Sequence, residues 1–320
     1  MIKYTDLTDI SNLSALIEEA QSLKKNQLAF EKLGKHKRLV MLFFNSSLRT
    51  RLSTEKAARN LGMEVTVMNF NSDAWKLEFE DGTVMNGDTS EHIKEAAQVI
   101  SQYADIIAVR AFPTLTDKKK DESEYVINNF VKYASVPVVN MESATAHPLQ
   151  ALTDAITISE FKTVERPKVV LSWAPHVKAL PQAVPNSFVQ MMQLCDVDLS
   201  IVNPQGYDLN PEITKGTKVF YDQEEAMENA DFVYAKNWSS YSDYGKILKS
   251  FETSKNWMMT QEKLGKAKFM HCLPVRRNVV VEDAVLDGEN SLVIQQANNR
   301  TFAAQVVLKQ ILSPLPPKGE

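Results

Sequence analysis

Eight short apolar runs set the rhythm of the chain. RLVMLFF (38–44), EVTVMNF (64–70), DIIAVRAF (105–112) and VPVVNME (136–142) form a first series. PKVVLSW (167–173), VDLSIVN (197–203), ADFVYAK (230–236) and KFMHCLP (268–274) form a second. The runs are apolar on both faces, as expected of parallel strands covered on both sides. Amphipathic stretches lie between them, such as LRTRLSTEKAARNL, which closes at Gly62, a helix C-cap signal. This alternation predicts an α/β fold built on parallel sheets. Two sets of four strands predict two doubly wound lobes of similar size, 1–149 plus 303–320 and 150–302. HPLQALTDAITISEF (147–161) predicts the joining helix, and Arg166-Pro167 opens the second lobe. RTFAAQVVLKQIL (300–312) predicts a last helix long enough to return to the first lobe. DKKKDE (117–122) reads as a solvated loop, and the tail SPLPPKGE as frayed.

Composition narrows the function classes. Lys and Arg number 36 against 40 Asp and Glu, a net charge of −4, which gives no basic excess for nucleic acid. Only 10 glycines occur, with no G-x-G-x-x-G and no G-K-[ST], so any phosphate chemistry must use another device than the glycine-rich loops. Cys195 and Cys272 are the only cysteines, in line with a cytoplasmic setting. The polar start MIKYTDLTDI lacks the apolar core of a signal peptide, and no apolar run approaches the roughly 20 residues of a membrane span.

Four stretches carry candidate chemistry. In FNSSLRTRLSTEKAA (44–58), Ser46 or Ser47 caps a helix whose first turn holds Arg49, Thr50 and Arg51. A helix N-terminus offers free N–H groups and a positive dipole end, so two arginines there are easier to explain if an anion offsets them. Arginine also grips phosphate oxygens in pairs. An ordinary capped helix with solvated arginines fits the same residues. Arg110 ends a strand, where ligands of open α/β sheets bind; a solvent-facing arginine fits as well. In MESATAHPLQ (141–150), Glu142 ends a strand, and His147 and Gln150 share a face at a helix start. A histidine there tends to stay neutral and donate a hydrogen bond, although a lone histidine is more often structural. In MHCLPVRRN (270–278), His271 and Cys272 are adjacent and point to opposite faces of a strand, which disfavours a nucleophile pair. Two cysteines and five scattered histidines fall short of a zinc ligand set.

Together these stretches resemble the aspartate and ornithine carbamoyltransferases. S-S-L-R-T-R is similar to their S-T-R-T-R phosphate loop, H-P-L-Q to their H-P-x-Q, and H-C-L-P to the H-C-L-P of the ornithine branch, in matching order and spacing. The resemblance implies a homotrimer whose active sites lie between lobes and borrow residues from a neighbouring subunit, with no metal or organic cofactor. It assigns Ser47, Leu48, Arg49, Thr50 and Arg51 to the phosphate of carbamoyl phosphate, with Trp75 closing over it from the adjacent subunit. It assigns Arg110, His147 and Gln150 to the carbamoyl group, Cys272 and Leu273 to the junction of the two substrates, and Arg300 to a place near the carbamoyl group. The acidic residue that often precedes this arginine is here Gln296, which puts its orienting role in question.

The acceptor side departs from the ordinary ornithine pattern. Where that pattern has an aspartate followed by S-M-G, this chain reads YAKNWSSY, with Lys236. Lysine pairs with a carboxylate and not with an ammonium group, which favours an N-acylated ornithine. YAKNW and WAPHVKALPQAVPNS (173–187) resemble the acetylornithine and succinylornithine carbamoyltransferase subgroup, whose proline-rich loop contributes to a knotted second lobe. In the loop NGDTSEH (86–92), Ser90 stands where the resemblance places a glutamate in acetyl enzymes and a proline in succinyl enzymes. Removing a glutamate removes repulsion of a succinyl carboxylate, a term of a few kcal/mol at an effective dielectric constant near ~20. The resemblance implies that His176 and Lys178 could supply positive partners and that Glu142 and Lys236 would orient the acylornithine. The expectation is therefore carbamoyl transfer to the δ-amine of N-succinyl-L-ornithine, with N-acetylornithine, a catalytically silent relative and the reverse direction left open. Helix capping by Ser90 is the plain alternative for that residue.

Overall fold

The structure, a computed structural model, describes residues 1–70 and 72–313. The chain divides into two compact units: Met1–Pro113 with Lys119–Leu149 and Arg300–Glu320, and Thr114–Lys118 with Gln150–Asn299.

The first unit holds a four-stranded sheet of β1 (Arg38–Phe43), β2 (Glu64–Asn69), β5 (Ile106–Arg110) and β6 (Val138–Glu142), in the order β2-β1-β5-β6. Every pairing is parallel. β5 and β6 are buried at every position and β1 at all but its first, so their apolar runs reflect cover on both faces. β2 sits at the edge and is only partly covered, so the expectation of burial on both faces fails there. Val40, Leu42, Ile107, Val109, Ile93, Ala97, Ile127 and Phe130 make one core between this sheet and the helices Ile93–Tyr103 and Tyr125–Tyr133.

Helix Leu48–Asn60 follows β1. It ends in a Schellman motif: the Met63 N–H donates to the Ala58 carbonyl at 3.0 Å and the Gly62 N–H to the Arg59 carbonyl at 2.9 Å. Gly62 has φ +82, and a Cβ there would lie 2.0 Å from the Glu31 carbonyl oxygen, so glycine is required. Two short parallel strands, β3 (Lys76–Glu78) and β4 (Thr89–His92), were not predicted. They bracket an exposed loop whose Asp88 pairs with Lys76 at the start of β3.

The second unit holds β7 (Lys168–Trp173), β8 (Asp198–Val202), β9 (Lys218–Phe220), β10 (Phe232–Lys236) and β11 (Lys268–Met270), in the order β11-β10-β7-β8-β9 and all parallel. β9 is an added edge strand beyond the four that the apolar runs predict.

Three further expectations change. The DKKKDE run is not a solvated loop: Lys118–Glu122 is a helical turn and Asp121 is buried. The last helix spans Val293–Leu312, seven residues longer at its start than predicted from 300. Asparagine weakens helices, yet Asn299 donates to Thr157 Oγ1 at 3.1 Å and Glu160 Oε2 at 2.8 Å, tertiary bonds that offset its low propensity. The expected frayed tail lies outside the described residues from 314 onward.

Candidate active site

Each sheet reverses its strand order once, and each reversal gathers sequence-predicted residues. In the first unit the chain leaves β1 toward β2 on one side, while β5 lies on the other. Ligands of open α/β sheets bind at such a switch point, outside the carboxyl ends of the strands. Ser47 N-caps the helix after β1, its side chain accepting from the Thr50 N–H at 3.3 Å. No acidic residue stands in the first turn, so Arg49 and Arg51 oppose the helix dipole by about 0.3–1 kcal/mol each unless an anion intervenes. Leu48 and Arg51 are exposed, Ser47 and Arg49 half-buried and Thr50 buried.

Arg110, at the end of β5, is 6% exposed. The β5–β6 register shifts between Val109 and Arg110, so that Arg110 lies opposite Glu142. A β-bulge re-aims a side chain in this way. Its guanidinium donates to Glu142 Oε2 at 2.7 Å and to the carbonyls of Asn45 at 3.0 Å and Ser46 at 2.9 Å. Arg110 Nε has no hydrogen-bond partner among the described residues. His147 is buried, with Nε2 3.5 Å from the same Glu142 oxygen. Arg300 donates to Thr50 Oγ1 at 2.7 Å, so it joins the first turn of the helix Leu48–Asn60. Trp75 is 56% exposed and donates from Nε1 to Glu91 Oε2 at 2.8 Å.

Ser90 is exposed within β4 and does not cap the following helix. That role belongs to His92, whose Nδ1 accepts from the Lys94 N–H at 3.2 Å.

In the second unit β7 is the switch strand, flanked by β8 and β10. His176 and Lys178 follow β7, Lys236 ends β10, and Cys272 and Leu273 follow β11. Lys236 is 9% exposed and meets no carboxylate at ion-pair distance among the described residues. His176 Nδ1 accepts from the Lys178 N–H at 3.1 Å. Burial, followed by the charges of Lys236, Arg276 and Lys178, holds the His176 imidazole below its ordinary range. Arg276 Nε lies 3.3 Å from His176 Nε2.

Gln150 belongs to this unit. It donates to Asp154 Oδ1 at 2.8 Å, and Gln296 donates to the same oxygen at 2.7 Å. The Gln296 side-chain oxygen accepts from the His271 N–H at 3.0 Å, and His271 Nδ1 from the Leu273 N–H at 2.8 Å. Gln296 thus links the fully buried Asp154 carboxylate to the His271 backbone N–H.

Two domain models match the sequence. The aspartate/ornithine carbamoyltransferase carbamoyl-P binding domain covers residues 1–160, and the Asp/Orn binding domain of the same enzymes covers 181–311. The chain belongs to the aspartate/ornithine carbamoyltransferase family. This carbamoyltransferase is 48% identical over 99% of its length to the N-succinylornithine carbamoyltransferase of Bacteroides fragilis (strain 638R), all of which is covered. The crystal structure of acetylornithine transcarbamylase complexed with acetylcitrulline superposes with a TM-score of 0.92 at 35% identity, over 98% of this chain and 100% of that one. A variant of N-acetyl-L-ornithine transcarbamylase with one glutamate replaced by serine, complexed with carbamyl phosphate and N-succinyl-L-norvaline, gives a TM-score of 0.90 at 35% identity, over 97% and 100%.

The structure therefore gathers Ser47, Thr50, Arg110, Glu142, His147 and Arg300 within the first unit of this carbamoyltransferase. It gathers His176, Lys178 and Lys236 within the second. Sequence reasoning passed over Arg276, which the structure puts on His176, and Asp154, which ties Gln150 to Gln296. Asp154 carried a signal: four residues after Gln150 on a helix, it had to share that residue's face. Among the described residues no group of three or more His, Cys, Asp or Glu could hold a metal ion, and no helix is long and apolar enough to cross a membrane.

Proposed function

We propose that this chain moves the carbamoyl group of carbamoyl phosphate to the δ-amine of N-succinyl-L-ornithine, giving N-succinyl-L-citrulline and phosphate. The observation that carries the acceptor assignment is Lys236, a lysine 9% exposed with no carboxylate partner among the described residues. A buried, unpaired ammonium is costly, and an anionic substrate group offsets that cost. Lys178 and Arg276 add two more cations around His176, a surplus that suits a substrate with two carboxylates. N-succinylornithine has two, and N-acetylornithine one.

Ser90 supports the same choice. The acetyl-type relative with serine in place of a glutamate was complexed with N-succinyl-L-norvaline. We take that glutamate to be the one that Ser90 replaces. A serine neither repels a second carboxylate nor fills the space it needs.

In this reading Ser47, Leu48, Arg49, Thr50 and Arg51 bind the phosphate, with Arg300 holding the Thr50 hydroxyl. Arg110, His147 and Gln150 hold the carbamoyl group, Glu142 and Lys236 orient the acylornithine, and Cys272 and Leu273 lie where the substrates meet. The neutral δ-amine attacks the carbonyl carbon and a C–N bond forms. Charge grows on the carbonyl oxygen, where Arg110 and His147 stabilise it. The C–O bond to phosphate then breaks, and the proton lost by the amine leaves on the phosphate. Holding both substrates in register supplies much of the acceleration. A homotrimer in which Trp75 reaches a neighbouring subunit belongs to the same proposal. The exposure of Trp75 at 56%, just before β3, and of Val84 at 78%, on the loop between β3 and β4, supports it.

The test is formation of citrulline-type product from carbamoyl phosphate with ornithine, N-acetylornithine and N-succinylornithine in parallel. Strong preference for N-succinylornithine is expected. Turnover of free ornithine alone would overturn the reading of Lys236, and no turnover of any acceptor would favour a catalytically silent relative.

A further inference from the structure

We propose that Glu124 is a positioning residue for carbamoyl transfer: its carboxylate fixes the loop 143–146 and thereby aims His147. The inference rests on the transferase reading given above, but its geometry is independent of which amine is used. Glu124 Oε1 accepts from Ser143 Oγ at 2.8 Å, from the Thr145 N–H at 2.8 Å and from Thr145 Oγ1 at 2.5 Å. Its Oε2 accepts from the Ala144 N–H at 3.2 Å. One side chain thus receives donors from three successive residues between Glu142 and His147. The loop is closed on itself by the Ser143 N–H donating to the Ala146 carbonyl at 2.8 Å. It is pinned at both flanks: Asn140 Nδ2 donates to Ser143 Oγ at 2.8 Å, and the buried Tyr4 hydroxyl donates to the Pro148 carbonyl at 3.2 Å.

The backbone supports a dedicated role. Glu124 has φ 51 and ψ 43, a left-handed conformation that suits glycine or asparagine. A glutamate kept there is disfavoured locally, so its side chain must return something elsewhere. Every group facing the carboxylate is a donor, which an ionised carboxylate satisfies and an amide does not. Burial pushes the Glu124 carboxyl up, against the pull of these hydrogen bonds.

The experiment compares wild type with Glu124→Gln and the milder Thr145→Val. The Gln variant sets an NH2 group against backbone or hydroxyl donors. It should lower kcat about tenfold or more. Thr145→Val, which keeps the Thr145 N–H, should lower kcat by a smaller factor. Inhibition by inorganic phosphate should stay as in wild type, because the phosphate loop 47–51 is untouched. In histidine-labelled protein, the His147 imidazole resonance, one of five and assigned by its loss in His147→Gln, should shift in both variants. Should Glu124→Gln fail to fold, Thr145→Val carries the test. Wild-type kcat with an unmoved His147 signal would overturn the proposal, as would phosphate affinity falling in step with kcat, the mark of a general scaffold role. If wild type turned over no acylornithine, the function would be wrong, and the His147 shift alone would still decide the role of Glu124.

Discussion

A lysine that ends a strand with only 9% of its surface exposed destabilises the free protein unless an anion meets it. Lys236→Met keeps the volume and removes the charge. It should raise KM for the acylornithine by roughly thirtyfold or more, from about 2 kcal/mol of lost pairing. KM for carbamoyl phosphate should hold, and the thermal midpoint should not fall, since the variant buries no unpaired charge. Steady-state kinetics and a melting curve check all three; an unchanged acylornithine KM would show that Lys236 meets no substrate carboxylate. At this scale the sequence was legible where a role is local. Ser47 capping Thr50 depends on neighbours three apart, and Arg110 was visible as a charge ending an apolar strand. Arg276 was not legible, because Arg276 and Arg277 look alike in the chain. Contacts distinguish them: Arg277 pairs with Asp283 at 2.8 Å and Asp287 at 2.7 Å, whereas Arg276 turns to His176, 100 residues away.

Elements explain how the side chains are aimed. The bulge between Val109 and Arg110 places the arginine opposite Glu142, a fact of strand register that no run of hydrophobic residues encodes. All eight apolar runs contain a strand, and the five inner ones, β1, β5, β7, β8 and β10, keep most of their runs, because burial on both faces leaves a strong signal. β3, β4 and β9 are three or four residues long, and their edge positions let polar residues through. The helix Val293–Leu312 begins early because Gln296 and Asn299 turn their amides inward, a tertiary effect that propensity cannot anticipate. Asp154 is the anchor of that arrangement. Asp154→Ala would strand the Gln150 and Gln296 amides against a cavity, and should cost roughly 2–4 kcal/mol of stability. Chemical denaturation measures that loss; a stability within about 0.5 kcal/mol of wild type would mean that the two glutamines find other partners.

The whole molecule combines two parallel-sheet units, each with its own reversal of strand order and its own set of polar residues at that reversal. The α/β class and the two-unit plan were readable from the alternation of runs. The motifs S-S-L-R-T-R, H-P-L-Q and H-C-L-P pointed to the family to which the chain belongs. The acceptor was harder to read, since the proposal for it rests on one exposed serine in the short strand β4 and on cations that end or follow three separate strands. The most direct test is a competition. The enzyme is given carbamoyl phosphate with equal concentrations of N-acetylornithine and N-succinylornithine, and the two citrulline products are quantified together, so that their ratio reports relative kcat/KM. The account predicts that the succinyl product dominates by about tenfold or more, as expected from one added carboxylate pairing worth at least about 1.4 kcal/mol. An equal yield, or an excess of the acetyl product, would contradict it.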